Sequence, residues 1–366
     1  MHNGDLLIIS GHEISELLAG HESDLMRVVR RAYEIHGEGK SCLPHSVFLR
    51  LPEQRNRIIG LPAYLGGEVA AAGMKWVSSF PANLENGVDR ASAVLIMNSL
   101  LTGRPEALLE GSIISARRTA ASAGLAAQIL HGSGDVESLG LIGCGLINFE
   151  NARFIKTAIP DIQYLTIYDV NAAYAEQFAL RCHESLDGIK VNIAKDITEV
   201  CKSSTVIAFG TTALEPYVFD TSDFLPGTTI LNISLRDLTA EAILQCTNVV
   251  DDIDHVCREN TSVHLAERLT GNRDFIRCSL SDVLRGKNTA REDRDDIVIF
   301  SPFGLGVLDI AVGNLVCNLA RQQDLGQVIK WFLPNSWSRG EKLPPPSVLI
   351  QSANEAPDSN PRFQMQ

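Results

Sequence analysis

Residues 138–148 read Ser138-Leu139-Gly140-Leu141-Ile142-Gly143-Cys144-Gly145-Leu146-Ile147-Asn148, and their reading decides the fold. Leu139, Leu141 and Ile142 make a short apolar run, suited to a strand buried on both faces of a parallel sheet. Gly143 and Gly145 follow at once. From about Phe149 to Ala158 the apolar positions Phe149, Ala152, Phe154, Ile155 and Ala158 recur with helical spacing. Strand, glycine turn and helix are the first unit of a dinucleotide-binding fold. Gly143 allows the tight turn, and Gly145 lets backbone approach a pyrophosphate. The helix start, at Leu146 and Ile147, offers unpaired N–H groups and a positive dipole end. Asn148 stands where the third glycine of the fingerprint usually falls. Two glycines also occur in ordinary βα turns, so the next strand has to decide.

That strand is Tyr164-Leu165-Thr166-Ile167-Tyr168, rich in β-formers and ending at Asp169. Asp169 lies about 20 residues beyond the glycines, where an acid accepts hydrogen bonds from both hydroxyls of the adenosine ribose. Its charge would repel a 2′-phosphate, so the expected cofactor is NAD rather than NADP. The alternative is a solvated acid at a strand end.

Working outward, strands recur at 189–193, 204–209, 229–233, 247–250 and 297–300, with helical stretches between most of them. This alternation predicts an α/β chain with a doubly wound sheet. Three strand ends carry polar groups that would meet in one cleft. They are Phe209-Gly210-Thr211-Thr212, Asn232-Ile233-Ser234-Leu235-Arg236-Asp237 and Phe300-Ser301-Pro302-Phe303-Gly304. Thr211, Thr212 and Ser234 are expected at the cofactor. Asp237 reads either as a proton carrier or as the N-cap of a helix over 238–244.

The first third differs. Strands at 6–9, 47–51, 58–64, 72–77, 93–98 and 105–110, with two early helices, predict an α+β module of mixed or antiparallel pairing. Lys75 sits inside an apolar strand between Gly73 and Trp76, where an unpaired lysine is rare. It either snorkels outward or faces a cleft that holds an anion. An Ala-rich helix from Ser112 leads into the second domain, and a helix over Val307 to Arg321 could return the chain to the first. The expected division is 1–118 with 320–345 for the first domain, 119–319 for the nucleotide domain, and 346–366 as a polar, Pro-rich disordered tail.

Composition narrows the class. The 366 residues are 45% hydrophobic and 21% charged, ordinary for a globular protein. A net charge of −12 argues against nucleic acid as a partner. Eight cysteines without a Cys-x-x-Cys pair suggest neither a zinc site nor a disulfide framework. They read as reduced thiols in a cytoplasmic protein, with no metal expected. The start lacks a basic segment followed by an apolar core, and no apolar run reaches the ~18 residues of a membrane helix.

Gly73-Met74-Lys75-Trp76, Arg118-Thr119-Ala120-Ala121, the 139–148 turn, Asp237 and Gly304 occur in an order that resembles the ornithine cyclodeaminase/mu-crystallin family. The resemblance covers about residues 5–335. It implies a Rossmann-type doubly wound sheet inserted into an α+β substrate-binding and dimerisation domain, hence a homodimer. It also implies that Arg50, Lys75 and Arg118 bind an amino-acid carboxylate, with Lys75 among the catalytic residues. Asp237 would be the acid/base and Phe303 would line the pocket beside the nicotinamide. Ser92 stands near a site threonine of the cyclodeaminase, and Glu241 falls where that enzyme has a lysine. Arg117 is the weaker twin of Arg118.

Asp89-Arg90-Ala91-Ser92, Gly143-Cys144-Gly145-Leu146-Ile147, Asn232-Ile233-Ser234 and Arg291-Glu292-Asp293 look most like one branch. Its dehydrogenases cleave N-(2-amino-2-carboxyethyl)-L-glutamate to 2-oxoglutarate and L-2,3-diaminopropionate in siderophore or antibiotic biosynthesis. Such a substrate carries three carboxylates, and Arg90 is the expected contact for a second one. Other readings are an ornithine cyclodeaminase, another amino-acid dehydrogenase or ketimine reductase, and a mu-crystallin-like protein that holds nucleotide and ligand without turnover.

Overall fold

The computed structural model describes residues 4–51, 56–131 and 136–334. The proposed tail lies outside them. The first sheet uses β1 (Leu6–Ile9), β2 (Ser41–Cys42), β3 (Val47–Arg50), β4 (Arg57–Leu65), β5 (Ala71–Ser79), β6 (Ala91–Asn98) and β7 (Pro105–Glu110). The second uses β8 (Ser138–Ile142), β9 (Tyr164–Tyr168), β10 (Lys190–Ile193), β11 (Val206–Phe209), β12 (Thr229–Asn232), β13 (Thr247–Val250), β14 (Ile276–Ser279) and β15 (Val298–Ser301). A last strand, β16 (Gln327–Ile329), returns to the first sheet and pairs antiparallel with β1. The nucleotide-type sheet is thus inserted into the chain of the other.

The second sheet runs β10-β9-β8-β11-β12-β15-β13-β14, with every pair parallel. The order reverses between β8 and β11, the switch point where doubly wound sheets bind ligands. The first sheet is mixed: β1 pairs parallel with β7, and its other pairs are antiparallel. Sequence reading passed over β2, β14 and β16, which are two to four residues long.

Register sorts the faces of the first sheet. Lys75 pairs with Leu61 and Leu95, so it points to the side that buries Leu61, Ala63, Leu65, Leu95 and Met97. That side packs on the helices Glu22–Gly37 and Gly306–Gln322. The opposite side carries the row Val47, Gly60, Trp76 and Val94, in which Val47, Trp76 and Val94 are exposed.

The helix Ser112–Leu130 ties the two sheets together. Its small buried residues, among them Ala120, Ala121, Ala123 and Ala127, let it lie close to the helix Leu146–Ala158. At Gly124 a Cβ would sit 2.9 Å from the Phe154 carbonyl oxygen, so this crossing has no room for a side chain.

Candidate active site

The glycine turn leaves a helix start open to an anion. Gly143 has φ +93°, and a Cβ there would stand 2.7 Å from the carbonyl oxygen of Gly210, so only glycine fits. Gly145 is the N-cap of the helix Leu146–Ala158, with no capping side chain, no acid in the first turn, and open space around its Cα. The first-turn amides therefore lack protein partners of their own. Asp169, just beyond β9, accepts from the Cys144 amide at 2.8 Å and the Asn171 amide at 2.9 Å. Its carboxylate is thereby fixed beside the turn, with lone pairs left for ribose hydroxyls. Burial pushes the Cys144 thiol up to about 12, so it stays neutral.

Asn148 replaces the third glycine with a different device. Fully buried, it donates from Nδ2 to the carbonyls of Ile142 and Gly143, at 2.9 and 2.8 Å. Its side chain fills the space that a Cβ at Gly210 would need, at 2.6 Å. The asparagine stitches the turn after β8 to the end of β11 and leaves the amides before it untouched.

Across the cleft, Lys75 Nζ lies 2.8 Å from Asp309 Oδ2 and 3.0 Å from Ser115 Oγ. Arg118 Nε donates to Asp309 Oδ1 at 3.0 Å. All three charged groups are buried, Asp309 completely. Burial lowers the Lys75 pKa to about 8, the Arg118 charge adds to this, and Asp309 opposes it. Arg118 also borders a cavity of about 90 Å³ with Thr119, Ser122, Ile233, Pro302, Phe303 and Gly304. Gly304 has φ +93°, and a Cβ there would meet the Arg118 guanidinium at 3.0 Å. Asp251, beyond β13, holds this corner by accepting from the Phe303 and Gly304 amides at 2.9 and 2.8 Å. Burial raises its pKa to about 6.

Asp237 is fully buried. Oδ1 accepts from Thr211 Oγ1 and, at 2.8 Å, from Tyr217 Oη, while Oδ2 accepts from Ser234 Oγ. The following helix, Ala240–Leu244, is capped by Thr239, which removes the cap reading of Asp237. Thr211 and Ser234, expected at the cofactor, direct their hydroxyl protons to Asp237 and keep only lone pairs for a ligand. Thr212 is exposed beside them, and Glu241 is exposed in the first turn of the helix.

Two expected site residues stand apart from the Lys75, Arg118 and Asp309 trio. Ser92 pairs with Ser78 and donates or accepts at 2.8 Å from its hydroxyl. Strand alternation puts both serines on the side opposite Lys75, away from the cavity. Arg50 does not join Lys75 and Arg118 on a shared group. It is exposed, ion-paired with Glu259, and its guanidinium lies 5.6 Å from the Phe48 ring centroid. Arg117 lines a groove of about 490 Å³ with Phe149, Arg153 and Leu146, the first residue of the helix after the glycine turn.

Sequence reading missed Asp309 and Asp251. Asp309 stands in the first turn of an apolar helix, where an acid normally only complements the dipole. Asp251 opens the pair Asp251-Asp252, which reads as strand-end punctuation. Among the described residues, no His, Cys, Asp and Glu group could hold a metal, and no helix is long and apolar enough to cross a membrane.

The sequence model of the ornithine cyclodeaminase/mu-crystallin family matches residues 7–324. N-((2S)-2-amino-2-carboxyethyl)-L-glutamate dehydrogenase of Staphylococcus aureus is 27% identical over 338 residues, covering 90% of this chain and 100% of that protein. A similar solved structure is the Delta(1)-pyrroline-2-carboxylate reductase of Thermococcus litoralis in complex with NADH and L-proline. Its TM-score is 0.82 at 26% identity, over 88% of this chain and 99% of that one. An archaeal alanine dehydrogenase dimer with bound NAD gives 0.80 at 26% identity, over 90% and 100%.

Proposed function

The chain belongs to the ornithine cyclodeaminase/mu-crystallin family, and on that premise we propose that it cleaves N-(2-amino-2-carboxyethyl)-L-glutamate oxidatively to 2-oxoglutarate and L-2,3-diaminopropionate. Relatives of this chain are dehydrogenases and reductases of amino acids, two of them solved with NADH or NAD bound, which supports an NAD-dependent reaction. NAD, when bound, supplies the hydride acceptor for the glutamate Cα–H. Gly143, Gly145, Leu146 and Ile147 would hold its pyrophosphate, and Asp169 its ribose.

The remaining chemistry falls to side chains of this protein. Lys75 and Arg118 share the single carboxylate of Asp309, so the trio keeps one positive charge for the substrate carboxylate. Phe303 walls the cavity beside that carboxylate. Loss of hydride from Cα and of the N–H proton leaves a C=N bond, to which water adds. The resulting carbinolamine breaks its C–N bond, releasing the ketone of 2-oxoglutarate and the free amine of diaminopropionate. Asp237 accepts and returns the protons, through the Ser234, Thr211 or Tyr217 hydroxyl because it is itself buried.

The observation that carries the choice of substrate is the sign of charge around the cleft. Arg57 feels the charges of Arg236, Arg90 and Arg50, and Arg90 that of Arg236, with Glu259 as the carboxylate among them. Such a surface suits a polycarboxylate and disfavours the diamine end of ornithine. We also infer a homodimer, formed through the apolar outer row Val47, Trp76 and Val94 of the first sheet. A cytoplasmic setting and a role in siderophore or antibiotic biosynthesis complete the proposal.

The test is product analysis by mass spectrometry, with NADH absorbance, on a panel of amino acids with NAD⁺. Diaminopropionate and 2-oxoglutarate with one NADH per turnover is the expected result, with NAD⁺ preferred over NADP⁺ in kcat/KM. Proline and ammonia without net NADH would make it a cyclodeaminase. Tight NAD binding without turnover would make it a binding protein.

A further inference from the structure

Four arginines have no part in the steps above. Arg50 and Arg57 are direct partners across β3 and β4, and Arg57 is partnered in turn by Ser79 of β5. Ser79 pairs with Ala91 of β6, the residue after Arg90. One end of the first sheet therefore gathers Arg50, Arg57 and Arg90, with Arg57 on the side that carries Lys75. Arg236 comes from the other wall of the cleft, next to Asp237, and its Nη2 donates to the Glu259 carbonyl at 2.9 Å. Glu259 and Asn260 both hold left-handed φ, 56° and 54°, a strained turn that aims the Glu259 carboxylate at Arg50 and its carbonyl at Arg236.

Arg57 and Arg90 are left over. Neither has a hydrogen-bond acceptor or ion pair among the described residues, and Arg90 Nε is buried without a partner. Burial first, then neighbouring arginines, press both pKa values below the ordinary one, with Glu259 opposing at Arg57. Like charges directly opposite on paired strands destabilise a sheet, and a buried unpaired N–H does so further. An arrangement with both defects is completed by an anion. The planar guanidinium fork matches a carboxylate, which can take two parallel N–H bonds.

We propose that Arg57, Arg90 and Arg236 form a second carboxylate subsite at the mouth of the cleft, which holds the substrate carboxylates remote from the reacting carbon. Arg50 is drawn aside by Glu259 and borders this subsite. The inference rests on the amino-acid reading of Lys75 and Arg118 for the orientation of the substrate. It makes the enzyme selective for amino and keto acids with a second carboxylate.

The experiment compares 2-oxoglutarate with pyruvate as ligands of the NADH-loaded protein, by NADH fluorescence. The wild type should prefer 2-oxoglutarate. Arg57→Gln and Arg90→Gln should each weaken 2-oxoglutarate by about ten- to a hundred-fold and pyruvate by less than about threefold. Neither should lower Tm, since each removes a like charge, and this separates a binding role from a structural one. Arg57→Lys and Arg90→Lys, which keep charge but lose the fork, give the same readout should a glutamine variant not fold. No wild-type preference for 2-oxoglutarate, or equal weakening of both ligands, overturns the subsite. If the wild type turns over no amino acid yet loses its preference in these variants, the subsite stands and the reaction falls. If it cleaves the tricarboxylate and the variants keep kcat/KM within about threefold, the reaction stands and the subsite falls.

Discussion

At the scale of single residues, the site is a set of carboxylates with different neighbours. Among the described residues, Asp237 is surrounded by hydroxyl donors and carries no cation, whereas Asp309 carries two cations and no hydroxyl. The proposed mechanism gives the proton transfer to the first, through its hydroxyl neighbours. Asp237→Asn should keep NAD affinity, measured by fluorescence titration, and lower turnover by about 10²–10⁴-fold. Survival of turnover within a few-fold would move the proton carrier elsewhere. Lys75 makes a second prediction, from its pKa near 8. Below that value it is cationic and can bind a carboxylate. The pH profile of kcat/KM should therefore fall above pH of about 8. Stability should change in the opposite sense. Folding depresses this base, so the unfolded chain binds more protons between about 8 and 10.5, and stability rises with pH across that window. Chemical denaturation at several pH values, set beside the kinetics, would show the two trends diverging.

At the scale of elements, the glycine turn illustrates what a sequence can disclose. Gly143, Gly145 and Asp169 were legible as a strand turn with an acid anchored beside it, because the turn's backbone geometry demands glycine and the acid meets its amide. Asn148 was legible only as a departure. Its work is to bridge carbonyls in the turn, and nothing in a linear sequence says which carbonyl an amide will meet. Ser92 failed for a related reason: moving one position along a strand reverses the face. Asp309 hid inside an apolar helix because its partners come from β5 and the helix Ser112–Leu130, both remote in sequence. Restoring the fingerprint glycine should therefore harm the protein. Asn148→Gly strips the Gly143 carbonyl of its donor and leaves the Ile142 carbonyl with the Gly210 amide alone, at a cost of about 1–3 kcal/mol for a buried group left unpaired. Unfolding in urea would measure it. An unchanged midpoint with tighter NAD binding would show that the asparagine is dispensable.

At the scale of the whole molecule, Asp309 joins two regions of the chain. Lys75 comes from the first sheet, Arg118 from the connecting helix, and Asp309 from the helix that follows the entire nucleotide sheet. Asp309→Ala leaves two buried cations side by side. Removing one member of a buried ionic group costs about 3–5 kcal/mol, so a large drop in the denaturation midpoint is expected, with NAD affinity less affected because the glycine turn lies apart. Loss of NAD binding with unchanged stability would contradict that separation. The same ion trio has a consequence for synthesis on the ribosome. Chains generally fold from the N-terminus as they emerge, but here the counterion for Lys75 and Arg118 is made only after β8–β15 have been translated. The first sheet must wait, with its cations unneutralised and its β16 edge missing, while the inserted domain is already complete. A released chain truncated just before residue 309 should thus resist protease over the second sheet and remain cleavable over the first. The order of maturation is the reverse of the order of translation.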